Sequence, residues 1–116
     1  MCGICGQLIL RGHRAVDAAD IAAMRATLAH RGPDDAGSHV DGAIGLGATR
    51  LAIIDVDGGH QPTSNEDGTV WAVLNGEVYN YRSLRATLAE RGHRFRSHSD
   101  TEVLVHLIEK YHAKHS

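Results

Sequence analysis

The chain has neither a long hydrophobic run nor an excess of charge of one sign, and these two absences exclude several classes of protein. Its 116 residues carry 12 Lys and Arg against 14 Asp and Glu, a formal net charge of -2 with His neutral. Because the basic residues are spread along the chain, we expect no nucleic-acid partner. No stretch approaches the roughly 18 apolar residues of a membrane span, and the N-terminus lacks a secretory signal. We therefore expect a cytoplasmic protein with no membrane association.

Cysteine is also scarce, with 2 residues in the chain, so the sequence predicts no disulfide framework. Cys2 and Cys5 form a C-x-x-C, which leaves a redox or metal-binding module open as a less favoured interpretation. A thioredoxin-like motif follows a strand and opens a helix, whereas only Met1 precedes Cys2, and a zinc site would need two further ligands. The 9 histidines contain no H-E-x-x-H, and we expect them to be solvated.

Cys2 has a chemical feature that no other residue in the chain has. Removal of Met1 would place a thiol and a free α-amine on the same terminal residue. An α-amine with a pKa near ~7.7 to 8.0 can accept the proton of a thiol that titrates near ~8.5, so the residue would carry its own base. Taken alone, a single Cys near a terminus is more typical of a small apolar residue, and the chemistry makes Cys2 a candidate catalytic nucleophile.

The first half of the chain predicts strands around one helix, and its length suits one domain. Residues 3–10 are apolar and β-compatible, which predicts a buried strand. Residues 17–30 show helical spacing that ends at a Gly-Pro dipeptide, and residues 38–54 alternate like two short strands joined by a turn. In the intervening HRGPDD loop, we expect Asp34 and Asp35 to accept backbone N–H groups.

In the second half, a long polar loop over residues 55–68 precedes a predicted strand at residues 69–74 and a predicted helix at residues 80–91, with Asn80 as its N-cap. A short strand is expected at residues 93–97. Ser99 and Glu102 have the spacing of a capping box for a last helix. The apolar face of that helix is expected to bury Val103, Leu104, Leu107, Ile108 and Tyr111.

Six motifs occur in order and together resemble one family: MCGICG, HRGPDDAG, LGATRLAIIDVDGGHQP, NGEVYNYRSLR, GHRFRSHSDTEV and LIEKY. The series resembles the N-terminal glutaminase domain of glutamine-hydrolysing asparagine synthetases. The broader resemblance is to class II glutamine amidotransferases, which are N-terminal-nucleophile hydrolases. NGEVYN and RLAIIDVDGGHQP are more similar to asparagine synthetases than to the amidotransferases of hexosamine or purine synthesis.

The resemblance implies that Cys2 attacks the side-chain amide of L-glutamine, giving a thioester that water resolves to glutamate after ammonia is released. Asn75 and Gly76 match the family's oxyanion hole, through the Asn side-chain amide and the Gly backbone N–H. Taken alone, Asn-Gly is more typical of a hairpin turn. No metal is implied in the site.

The same resemblance assigns the residues that recognise glutamine. Arg50 would bind the α-carboxylate, a task suited to a planar guanidinium with paired donors, and Asp100 would pair with the α-ammonium. Taken alone, Arg50 and Asp100 would be read as solvated surface ions. The other positions that match the substrate pocket are Leu51, Ala52, Ile53, Ile54, Asn75, Gly76 and Glu77.

The implied fold is α+β, part of a four-layer αββα sandwich with antiparallel sheets. Because the family domain is longer, we expect residues 1–116 to be a partial glutamine amidotransferase type 2 domain, without the strands that complete the sandwich. The implied partners are L-glutamine and either a synthetase domain or the missing half of the domain, and a homodimer stays open. No cofactor is expected in this chain, since ATP and Mg²⁺ belong to the synthetase domain that amidates aspartate. The alternative is a non-catalytic fragment or split-domain partner.

Overall fold

The structure is a computed structural model that describes residues 3–31, 35–50 and 60–115. The described residues form an α+β arrangement with two antiparallel sheets and three α-helices. In chain order the elements are β1 (Gly3–Leu8), α1 (Ala18–Ala26), a 3-10 turn (Ala29–Arg31), β2 (Asp35–Asp41), β3 (Ile44–Arg50), β4 (Thr63–Ser64), β5 (Trp71–Ala72), α2 (Tyr81–Glu90) and α3 (Asp100–His115). None of the helices in these segments has the length and apolar content to cross a membrane.

The first sheet has the order β1-β3-β2, and α1 packs on one of its faces. Asp17 caps α1 by accepting the Ala19 N–H at 2.9 Å. The helix approaches closely because glycines face it, and a Cβ at Gly45 would lie 2.8 Å from side-chain carbons of both Ile21 and Val16. The predicted helix and the predicted pair of strands are confirmed within the described residues.

The other face of this sheet is only partly covered, and the prediction that residues 3–10 form a buried strand is wrong. The strand itself is present, but Ile4 is 44% exposed and Leu8 is 60% exposed, with Ile44 of β3 at 44%. These residues point away from α1, because strand side chains alternate between faces. The apolar run therefore predicted the strand but not how much of it is covered.

The second part of the molecule consists of the β4–β5 ribbon, α2 and α3. α2 has the predicted bounds, with Asn80 at its N-cap and Gly92 following in a left-handed conformation (φ 94). The predicted strand at residues 69–74 is reduced to Trp71–Ala72. The prediction of a strand at residues 93–97 is wrong, since that segment is irregular.

The start of α3 differs from the predicted capping box. Ser99 Oγ accepts the Thr101 N–H at 3.2 Å, so half of the box is present. The Glu102 carboxylate instead accepts the Arg96 N–H at 2.9 Å and the Ser97 N–H at 2.9 Å. Those bonds hold the irregular segment that replaces the predicted strand.

The buried face of α3 is also rotated from the predicted one. Val103 and Val105 are fully buried together with His106, whereas Ile108 is 49% exposed and Tyr111 is 67% exposed. Leu104 and Leu107 are half-buried. The helix buries polar side chains that an apolar pattern does not reveal.

The two parts meet across β2. His39 of β2 stacks on Trp71 of β5, with ring centroids 3.7 Å apart and an interplanar angle of 10°. At Gly37, a Cβ would collide with the Gln61 carbonyl oxygen and would lie 2.7 Å from His60 Nε2. Glycine is therefore required where the second part crosses the sheet.

Candidate functional site

Arg50 lies at the C-terminal end of β3, beside the N-terminal end of β1. The antiparallel register pairs Gly3 with Thr49, so the residue that follows Cys2 lies opposite the residue that precedes Arg50. Gly3 permits this approach, because a Cβ there would lie 2.9 Å from both Leu28 Cβ and Thr49 Oγ1. The pairing of the strands therefore brings Gly3, which follows the predicted nucleophile, close to Arg50, which is predicted to bind the α-carboxylate.

The Arg50 side chain is buried, at 6% exposure, and contacts Asp35. Arg50 Nη1 lies 3.7 Å from Asp35 Oδ2, longer than the roughly 2.7–2.9 Å of a charge-assisted hydrogen bond, so this contact acts through charge. The same Oδ2 lies 2.7 Å from His60 Nδ1, and Asp35 Oδ1 accepts the Ala36 N–H at 2.9 Å. Asp35 therefore accepts a backbone N–H, but that N–H belongs to strand β2 and not to the predicted turn. Its other carboxylate oxygen joins Arg50 to His60. The prediction for Asp34 falls outside the described residues.

Asn75, Gly76 and Glu77 lie in the segment between β5 and α2, and all three are exposed. The Asn-Gly dipeptide does not close a hairpin, because β5 pairs with the preceding β4 and the next element is a helix. A Cβ at Gly76 would meet Leu74 at an ordinary 3.5 Å. Among the residues that the structure describes, neither strand pairing nor backbone packing requires an Asn-Gly dipeptide at this position.

Asp100 is the first residue of α3, and its Oδ2 accepts the Val78 N–H at 2.7 Å. This bond draws the segment after Glu77 towards the helix. A carboxylate that accepts one N–H keeps further acceptor sites, and those sites suit an ammonium donor. A cavity of about 130 Å³ opens here, lined by Glu77, Val78, Tyr79, Tyr81, His98 and Asp100.

Gln61 connects the segments that carry Asn75 and Asp100. Its side-chain amide is buried, with Oε1 accepting the Leu74 N–H at 2.8 Å and Nε2 donating to Thr101 Oγ1 at 3.3 Å. Both partners are chain neighbours of predicted site residues. Gln61 also follows His60, which contacts the carboxylate beside Arg50.

Of the predicted site residues, the structure brings Glu77 and Asp100 to one cavity, and it places Arg50 at the end of β1. Five others lie outside the described residues: Cys2, Leu51, Ala52, Ile53 and Ile54. The assigned catalytic and binding roles stay predictions.

Sequence reasoning missed Asp35, His60 and Gln61 as residues that support the site. They stand in the HRGPDD and DGGHQP motifs, so the sequence marked their positions, but it predicted only a backbone contact for Asp35 and no role for His60 or Gln61. Their roles depend on contacts between residues 25 and 40 positions apart, and spacing along the chain does not reveal such contacts.

Cys5 does not have the environment of an activated thiol. It is a free cysteine on the face of β1 that α1 covers, beside Gly47. Burial raises the pKa of the Cys5 thiol, although the nearby Arg25 cation acts in the opposite direction. A raised pKa lowers the thiolate fraction on which reactivity depends, which disfavours a redox role for Cys5.

The fold and the ordered motifs agree with a comparison against known families, in which the model of the glutamine amidotransferase domain matches residues 1–115. The chain belongs to this family. Among curated proteins, it is 44% identical over 115 residues to asparagine synthetase [glutamine-hydrolyzing] 1 of Bacillus subtilis strain 168, covering 96% of this chain and 18% of that protein. It is 40% identical over 112 residues to asparagine synthetase [glutamine-hydrolyzing] 2 of the same organism, covering 95% of this chain and 15% of the relative.

A plant protein gives a similar result. Asparagine synthetase [glutamine-hydrolyzing] 1 of Arabidopsis thaliana is 40% identical over 111 residues, which cover 96% of this chain and 19% of the relative. The chain therefore spans less than a fifth of the length of these relatives. What it matches in them is their glutamine amidotransferase part.

Proposed function

We propose that this chain carries the glutamine-hydrolysing site of an asparagine synthetase. The Cys2 thiolate attacks the side-chain amide carbon of L-glutamine, and the proton taken from the thiol passes through the α-amine to the leaving nitrogen. Ammonia departs as the C–N bond breaks, leaving a thioester. Water then cleaves the C–S bond, which releases glutamate and restores the thiol.

The register between β1 and β3 is the observation that carries this proposal. Gly3 opposite Thr49 puts the start of β1 beside Arg50, so the strand that directly follows the predicted nucleophile in sequence begins next to the predicted anchor of the α-carboxylate. Asp100 in the lining of a cavity supplies a carboxylate for the α-ammonium. Together the two charges favour a free amino acid over a glutaminyl peptide, which lacks one or both of them.

The remaining predicted residues complete the proposed pocket. Asn75 and Gly76 donate N–H groups to the oxyanion, and their exposure leaves them accessible to a ligand. Donors of this kind act where charge develops, and loss of one typically raises the barrier by about 2.7–4 kcal/mol. The proposal also assigns residues 51–54 and Glu77 to glutamine binding, because they match the family's substrate-pocket positions.

We further propose that the released ammonia passes to a synthetase domain, where ATP and Mg²⁺ support the amidation of aspartate. The names of the relatives support this partner, because each is an asparagine synthetase that hydrolyses glutamine.

Covalent labelling tests the glutaminase proposal. The purified chain is incubated with a diazo-ketone analogue of glutamine, and its intact mass is measured beside that of Cys2→Ala. We expect loss of Met1 and one adduct in the parent, no adduct in Cys2→Ala, and protection by L-glutamine. A processed chain that forms no adduct, or an adduct that persists in Cys2→Ala, would contradict the proposal.

The exposed face of the first sheet supports a proposal about the complete fold. Ile4, Leu8 and Ile44 form an apolar surface opposite α1, where the second sheet of a four-layer αββα sandwich would pack. We expect the chain to self-associate with rising concentration in sedimentation experiments, and we expect Leu8→Lys to reduce this association. A monomer at every concentration that binds no hydrophobic dye would argue against a packing role for this face.

A further inference from the structure

Four metal-ligating side chains converge in the second part of the molecule, and none of them is among the residues assigned to glutamine. They are Glu66 in the β4–β5 loop, His93 after α2, and His106 and Glu109 one turn apart on α3. One ligand atom from each lies within 4.8 Å of all the others. His106 is fully buried and His93 is 11% exposed, so the expectation that the histidines are solvated is wrong for these two.

Four of the six distances between these ligand atoms are close to the edges of a small tetrahedron. His93 Nδ1 lies 3.3 Å from His106 Nδ1 and 3.6 Å from Glu109 Oε2. His106 Nδ1 lies 3.5 Å from Glu66 Oε2 and 3.7 Å from Glu109 Oε2. Ligand atoms about 2.0–2.2 Å from a tetrahedral zinc ion lie about 3.3–3.6 Å from one another.

The surrounding contacts orient the ligand atoms. His106 Nε2 lies 3.1 Å from Glu102 Oε2, and the Glu102 side chain is 2% exposed. An imidazole that donates its Nε2–H to a carboxylate presents the lone pair of Nδ1 to the cluster, which is the arrangement that supports metal-bound histidines. Glu102 is itself fixed by N–H groups of Arg96 and Ser97.

The two carboxylates are also held in place, and one of their oxygens lacks a donor. Glu66 Oε2 accepts the Arg94 N–H at 2.9 Å, and Glu109 Oε2 accepts from Asn65 Nδ2 at 3.2 Å. Glu66 Oε1 is buried and has no hydrogen-bond partner in the part of the chain that the structure describes. A buried acceptor without a donor costs free energy, and a cation beside the carboxylate would remove that cost.

We propose that Glu66, His93, His106 and Glu109 bind one divalent transition-metal ion of the zinc type. Two imidazole nitrogens and two carboxylate oxygens suit zinc, whereas Mg²⁺ and Ca²⁺ prefer six or more oxygen ligands. Four protein ligands close the coordination sphere, which is typical of structural rather than catalytic zinc. The ion would tie the β4–β5 loop and the segment after α2 to α3, the helix that begins with Asp100.

A proton shared between the Glu66 and Glu109 carboxylates is the alternative to a bound ion, because it would also hold the two groups together. The hydrogen bond from the Glu109 carboxyl lowers the pKa of Glu66 to about 2, and burial raises the pKa of Glu109. The experiment must therefore separate metal binding from a hydrogen-bonded network that binds no ion.

Cobalt serves as the probe, because tetrahedral Co²⁺ absorbs strongly in the visible range and zinc can displace it. The chelator-treated chain is titrated with Co²⁺ and then with Zn²⁺, and thermal melts are recorded in parallel. We expect strong absorption that saturates at one equivalent, is lost on addition of zinc, and accompanies a rise in Tm. Weak octahedral spectra, or no rise in Tm with either ion, would overturn the proposal.

Variants distinguish metal binding at this site from metal binding at surface residues. Glu109→Gln and His93→Gln each remove one ligand with little change in size, and we expect both to lose the tetrahedral spectrum and the rise in Tm. His13→Gln and Glu90→Gln alter exposed residues elsewhere, and they should behave like the parent. Equal metal responses in all four variants would show binding elsewhere and would refute this assignment.

Discussion

The two parts of the molecule are built by different means. In the first part, α1 packs on the β1-β3-β2 sheet through aliphatic side chains such as Ile21, and glycines allow the close approach. In the second part, the ribbon, α2 and α3 are joined largely by buried polar groups, and these are Gln61, Asn65, Ser97, Thr101, Glu102 and His106. Substitutions that add atoms should destabilise the first part most. Substitutions that remove hydrogen-bond partners should destabilise the second part most. The proposed glutamine site draws residues from both.

Glu102→Ala should have the largest effect on stability, because it removes the centre of the polar network. Its carboxylate accepts the Arg96 and Ser97 N–H groups and lies 3.1 Å from His106 Nε2. Removing one partner of a buried charged contact typically costs about 3–5 kcal/mol, and we expect a loss of this size in urea unfolding. Glu90→Ala changes an exposed carboxylate and should alter stability by less than about 0.5 kcal/mol. Equal losses in both variants would contradict the role of the network.

Gly37→Ala tests the first part with one added carbon. The new Cβ would collide with the Gln61 carbonyl oxygen, which belongs to backbone and cannot rotate away. Overpacking typically costs about 1–3 kcal/mol, and we expect that range in the same unfolding experiment. Ala36→Ser also adds one heavy atom on β2, but at an exposed position. A Gly37→Ala protein as stable as Ala36→Ser would show that the two parts do not press together here.

The sequence predicted the elements of the first part better than those of the second, and the reason is physical. An apolar run predicted β1, helical spacing predicted α1, and alternation predicted the β2–β3 pair, because local pattern determines those elements. The segment before α3 was predicted as a strand, yet Glu102 holds it as an irregular loop. A carboxylate that binds backbone six residues away leaves no periodic signal.

The sequence predicted some residues of the candidate site and missed others. The ordered motifs named Arg50, Asp100 and Glu77, which the structure places at a strand end and around one cavity. Asp35 and Gln61 were missed, because their partners are distant in the chain.

Gln61→Met addresses the junction between the two parts. Methionine matches the length of glutamine but leaves the Leu74 N–H without its acceptor and Thr101 Oγ1 without its donor. Because the Leu74 N–H is only partly buried, we expect a loss of about 1–2 kcal/mol, near the lower end for an unsatisfied group. Gln7→Met makes the same change at an exposed position of β1 and should be nearly neutral. If the two variants are equally stable, Gln61 does not stabilise the junction.

Asp100→Asn should change stability least of these variants, and it should still weaken the binding of glutamine. Asparagine keeps an oxygen that can accept the Val78 N–H, so the fold loses only a charge at the start of α3, worth about 0.3–1 kcal/mol. Loss of a charge-assisted contact to the α-ammonium is worth about 1.5–3 kcal/mol, so the Kd for glutamine should rise about 10- to 100-fold in calorimetric titration. Asp20→Asn removes a comparable first-turn charge from α1 without approaching the cavity. If both variants bind glutamine equally well, Asp100 stabilises its helix and does not select the substrate.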